Sequence, residues 1–345
     1  GNAGSGTTNS DLVAIDTEIP EVTSVSIEGT DTNLAIGEVI TVTVSTSKPV
    51  FVSGVPTYTL NIGSVAKLAS YSSGSGTDSL SFTYTIAAGD EASIGGITAP
   101  TNALSISTAS GAAIRDAAGN ALNLATDAIA VDDNTIAVDG LAPSLADQDI
   151  LLLNRGNTGF SRTYRVGDRV TVQIDPANIG DRVDFGSTGQ PSPGSQVLVD
   201  FSEFGATSDV EASWDSSAHR WVATYSIEEG TTDITDASVR VQLIDDAGNA
   251  SGWVVDGANV VLDNQTPTVG GLGSYVDNAG IDGTLKVGSI ITVSAVAPED
   301  VFDVVIATFD FTGFGGGIVD GTYDAGTDMW SASYTITDGD IDTTG

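Results

Sequence analysis

The chain has 345 residues, of which 46 are acidic and 11 basic, for a formal net charge of −35. Such a surface repels nucleic acid and anionic lipid headgroups and attracts divalent cations. The absence of cysteine excludes disulfides, thiolate metal sites and a cysteine nucleophile, while a hydrophobic fraction of 40% suffices for several cores.

Taken along the chain, one set of features recurs. An acid-to-proline junction, "DTEIP" (16–20), is followed by a glycine and a β-branched run, "IGEVITVTVS" from Ile36. Next comes "LSFTYTI" from Leu80, in which Leu80, Phe82, Tyr84 and Ile86 alternate with Ser and Thr. Period two with one apolar face predicts a half-buried antiparallel strand. The glycine-rich "SSGSGTD" (72–78) places a hairpin just before it. The loop "RDAAGN" (115–120) then precedes a second junction, "DGLAP" (139–143).

The cycle repeats with "VGDRVTVQID" from Val166, "WVATYSI" from Trp221, "IDDAGN" (244–249) and a third junction, "DNQTP" (263–267). It begins again with "VGSIITVSAV" from Val287, "DAGTD" (324–328) and "WSASYTI" from Trp330. Helical periodicity is absent, so the expectation is an all-β protein of tandem Ig-like antiparallel β-sandwich domains joined end to end, with a period of roughly 124 residues. The expected divisions are a last strand of a preceding repeat (1–16), repeat one (17–139), repeat two (140–263) and a truncated repeat three (264–345). A chain that opens on Gly1 and closes inside a repeat reads as part of something longer, or as a subunit exchanging strands with a neighbour.

In such a sandwich, successive loops alternate between poles. The D-x-A-G-N loop and the junction entering the same repeat then share the N-terminal pole. Asp16 is expected near Asp116 and Asn120, and Asp139 near Asp245, Asp246 and Asn249. The preceding repeat brings Asp90 and Glu91 towards Asp139, and Glu228 and Glu229 towards Asp263. Converging carboxylates repel unless compensated, and calcium, which takes six to eight oxygen ligands in adaptable geometry, suits them. The competing reading is a purely structural turn, because Asp and Asn side chains bond nearby backbone.

These stretches resemble bacterial Ig-like tandem repeats of giant RTX-type surface adhesins, in which D-x-A-G-N and the acid-to-proline linker mark each repeat. Residues 57–90 are also similar to repeats of cyanobacterial swimming-motility and related surface proteins, and "DFSEFGA" (200–206) matches "DFTGFGG" (310–316). The resemblance implies a non-catalytic, calcium-stiffened stalk at a bacterial cell surface, partnered by neighbouring repeats or identical subunits. By position it implies Asp16, Asp116, Asn120, Asp139, Asp245, Asn249 and Asp263 as calcium ligands. The third copy lacks D-x-A-G-N, leaving any site at Asp263 incomplete, and Gly140 and Asn264 stand where adhesin linkers often carry Thr. The alternative function is a self-assembling subunit of a filament, sheath or S-layer.

Remaining features fit bland roles. His219 in "DSSAHR" reads as an exposed turn residue, and Trp214, Trp221 and Trp330 as core. Trp253 breaks the pattern and is expected partly exposed. The Asp245/Asp246 pair lacks the aromatic groove a glycosidase needs. "NAS" (249–251) and "NQT" (264–266) match the glycosylation sequon.

Overall fold

The computed structural model describes residues 14–106, 111–126, 131–132, 135–153, 163–180, 185–186, 190–230, 233–267, 270–277, 279–280, 283–297 and 306–340. Among them, strand accounts for 51% and short 3-10 turns for 4%, so the protein is all-β. Most of the stretch 1–16 lies outside the described residues, and 14–20 contains no strand.

The alternating sequences form ladders in the way their period requires. Strand Val39–Ser53 pairs antiparallel with both Val22–Gly29 and Thr77–Thr85, with Val42 opposite Phe82. In the second cycle Arg169–Ile174 pairs with Arg220–Ser226, setting Val172 against Ala223. In the third, Ile290–Val296 pairs with Met329–Thr335, setting Val293 against Ala332. Ile40, Val42, Val44, Leu80 and Phe82 are buried from one face of the first ladder. Each large apolar side chain so removed from water contributes roughly 1.5–3 kcal/mol.

The buried side chains fall into separate clusters. One runs from Val25 to Val138, a second from Ile150 to Leu262, and a small third gathers Ile291, Ala295, Phe309, Phe311 and Ala332. Not every pairing is antiparallel. Ala137–Asp139 runs parallel to Asn33–Leu34, and Val260–Asp263 parallel to Thr163–Arg165. Those closing strands deliver Asp139 and Asp263 to the ends of the first two clusters.

Two sequence echoes become one structure. "DFSEFGA" and "DFTGFGG" each form a 3-10 turn, Ser202–Phe204 and Thr312–Phe314, ended by a glycine with positive φ. Phe201 stacks on Tyr225 and Phe311 on Tyr334, both at 5.8 Å between ring centroids. His219 and Asp328 hold the same left-handed position before their strands, at φ 51° and 55°. That turn accounts for the histidine, whose ring packs edge-on against Trp214. Trp221 is buried and Trp214 and Trp330 are half-buried. Trp253 is exposed, with the Arg240 guanidinium over its ring.

Candidate functional site

The two D-x-A-G-N loops are built alike. Asp116 Oδ1 accepts the amides of Ala118 (3.0 Å) and Asn120 (2.8 Å), and Oδ2 accepts Asn120 Nδ2 (2.9 Å). Asp245 Oδ1 accepts those of Ala247 (3.1 Å) and Asn249 (2.7 Å), and Oδ2 accepts Asn249 Nδ2 (2.9 Å). Gly119 and Gly248 sit at φ 97° and 100° with open space around them, so conformation, not crowding, demands glycine there. The aspartate thus serves first to close its own turn.

The asparagine is the residue that reaches outward. Asn120 Nδ2 also lies within hydrogen-bond reach of the Asp16 and Glu18 carbonyls, at 3.2 and 3.4 Å. Asn249 Nδ2 donates to the Asp139 carbonyl (3.0 Å), while its Oδ1 accepts the Ile36 amide of the first cluster's end (2.8 Å). Asn33 Nδ2 makes a longer contact of 3.4 Å with Asp246 Oδ1. One side chain therefore ties the linker and both flanking ladders together. Asp16, Asp116 and Asn120 come together at one pole, and Asp139, Asp245, Asp246 and Asn249 at the next.

Gly140 completes the second junction. Its amide donates to the Asp90 carbonyl (2.8 Å) and to Glu91 Oε1 (3.1 Å). A Cβ there would lie 2.6–2.8 Å from backbone atoms of Ala87 and Asp90. Any side chain at this position would push the linker off the 87–90 turn.

Electrostatics separate the acids. Burial pushes the Glu91 carboxyl up, and the charges of Asp139, Asp245 and Asp90 add to the shift against the Gly140 hydrogen bond. Glu91, Asp139, Asp246 and Asn33 line an open cleft of about 460 Å³. At the first pole the opposite holds. Hydrogen bonds from Asn120 and Lys48 outweigh burial and hold Asp116 below the usual carboxylate range.

Asp90 faces away from the junction. Its Oδ2 accepts Tyr84 OH (2.6 Å) and the Ala87 amide (2.9 Å), and Lys67 Nζ lies 2.5 Å from Oδ1. Burial alone would raise this acid, but its bonds to Lys67, Tyr84 and Ala87 outweigh that and lower it. The third ladder repeats the brace: Tyr334 OH donates to Asp340 Oδ2 (2.8 Å), as does the Thr337 amide (2.6 Å). "YTIAAGD" and "YTITDGD" carry this tyrosine-to-aspartate spacing openly in the sequence. Its meaning becomes clear only when the turn folds the acid back under the ring.

The junction after the second cluster differs. Asp263 is buried at the end of its strand, and the Asn264 amide donates to Asp233 Oδ1 (3.1 Å), while Glu228 and Glu229 are exposed. Asn249 and Asn264 are only 5% and 6% exposed, which closes both sequons to glycosylation in the folded chain. Among the described residues, no three carboxylates converge closely enough to share an ion as the side chains stand. No helix among them is long and apolar enough to cross a membrane. Protein-family models and curated protein sequences were searched, and none matches this chain.

Proposed function

We propose that this chain is a non-catalytic structural segment of a bacterial extracellular surface protein, a stalk whose repeats are stiffened at their junctions. The observation that carries the reading is Asn249, whose side chain binds Asp139 O and Ile36 N at once. A linker that served only as a tether would not need a side chain from the second ladder fixed to the end of the first.

Calcium is part of this proposal at one place. Hard divalent cations need several oxygens, and Glu91, Asp139 and Asp246 line one cleft where burial, and after it the charges of Asp139, Asp245 and Asp90, push Glu91 up. These three are the residues that would hold the ion, and its charge would offset the repulsion between Glu91 and Asp139. Asp116, Asp245, Asn120 and Asn249 contribute by holding the loops, since their polar atoms are engaged in the bonds above. Asp263, buried at the end of its strand, is not assigned an ion in this proposal.

Small-angle scattering combined with light scattering, in millimolar calcium and then in chelator, tests the reading. A stiff, elongated monomer that slackens on chelation supports it, and a particle unchanged by calcium removes the ion from the proposal. Growth into polymers would favour a self-assembling filament or layer. That alternative draws on strand Gly270–Asp277, which exposes Leu272 (71%) and Tyr275 (65%) at the edge of its sheet.

A further inference from the structure

We infer that Lys48 is a tethered cation that locks the entry segment onto the first pole, so that this pole holds without calcium while the next responds to it. The contrast between the poles rests on the calcium reading above; the lock itself does not.

The ammonium sits among oxygens from two separate parts of the chain, the entry segment and the D-x-A-G-N loop. Lys48 Nζ lies 3.1 Å from both Asp16 carboxylate oxygens, 2.9 Å from the Glu18 carbonyl and 3.5 Å from Asp116 Oδ2. Glu18 Oε2 stands further off, at 3.9 Å. Asp16 and Asp116 are the counterparts of Asp139 and Asp245, so an internal positive charge occupies the centre of an acid set that recurs at the next junction. Burial would lower the lysine, but Asp16 and Asp116 outweigh it and keep it charged.

The backbone explains how a strand residue gets there. The ladder between Val39–Ser53 and Thr77–Thr85 breaks register between Ser45 and Val50, and Lys48 lies inside that irregularity. Thr46 Oγ1 donates to the Lys48 carbonyl (2.8 Å), and Ser47 and Glu21 exchange two hydrogen bonds beside it. A residue released from the pleat is free to turn towards the pole.

The corresponding stretches of the other cycles are "DPANI" (175–179) and "APEDV" (297–301), and neither contains a lysine or arginine. Among the described residues, the buried Asp245 carboxylate meets only hydrogen-bond donors of its own loop, where Asp116 also meets an ammonium. A covalently attached cation cannot be chelated, and salt screens it only in part.

Amide hydrogen exchange on the whole chain, in chelator and in millimolar calcium, tests this. In the wild type, protection at residues 18–21 and 118–120 should be the same in both buffers. In Lys48→Met it should fall about tenfold or more in chelator, as charge-assisted bonds are lost, and calcium should restore it with one additional equivalent bound. Protection at the first pole that depends on calcium in the wild type, or protection in Lys48→Met as strong as in the wild type in chelator, would overturn the inference. If Lys48→Met does not fold, the wild-type comparison still decides. Wild-type amides of Ile36 and 247–249 that ignore calcium would overturn the calcium site at the second junction and leave the Lys48 lock standing.

Discussion

Replacing Asn249 by Ala removes the side chain that bonds both the linker and the Ile36 amide at the second junction. The perturbation deletes the bonds to Ile36 N, Asp139 O and Asp245 Oδ2. The Ile36 amide is the informative probe, because it lies in the turn leading into strand Val39–Ser53 of the first ladder, yet its acceptor comes from the loop of the second cycle. Leaving a part-buried donor without its acceptor costs about 1–3 kcal/mol, which accelerates exchange at that amide by roughly 5- to 150-fold. Its neighbour Gly37 donates to Ile86 O within the first ladder and supplies an internal control. Hydrogen exchange resolved to single amides should show Ile36 accelerated and Gly37 unchanged. An Ile36 amide as slow in Asn249→Ala as in the wild type would refute the bridging role. Equal acceleration of Gly37 would mean that the first ladder itself had loosened, and the argument from the junction would fail.

Gly140→Ala places a Cβ against three backbone atoms of the 87–90 turn; we expect a loss of about 1–3 kcal/mol, measured by denaturant unfolding, with Gly248→Ala strained by its positive φ instead. Glu91 supplies the pH dependence. Its carboxyl is raised in the folded chain by burial and by neighbouring acids, so junction stability is highest with the proton on. That stability declines as pH rises from the ordinary glutamate value of about 4.3 through the raised folded one. Glu91→Gln should therefore protect the Ile36 amide better than wild type at pH 7 in chelator, and remove any gain from calcium. Weaker protection in that variant would show that the carboxylate is not the source of repulsion.

The division between what sequence specifies and what folding decides is sharp at particular residues. Period two along "LSFTYTI" and its counterparts dictates strands and their buried face, since alternate side chains leave a pleated strand on opposite sides. The glycine and aspartate of D-x-A-G-N dictate a tight loop from local chemistry alone, and alternation of loops places that loop beside the acid-to-proline linker.

Roles within the pole were not legible in the same way. Asp90 and Glu91 are neighbours in sequence, but the turn closing on Ala87 carries Asp90 back to Tyr84 and Lys67 and leaves Glu91 at the cleft. Asn249 outranks Asp245 at the junction because the aspartate's oxygens are already engaged by its own loop. Lys48 sits 32 residues from Asp16 and 68 from Asp116 in sequence, in a stretch with no motif of its own. Local periodicity and turn chemistry act over a few residues and are written in order along the chain. The partners of a buried charge are settled by which surfaces the closed ladders bring within about 3 Å of it, and only the tertiary structure contains that information.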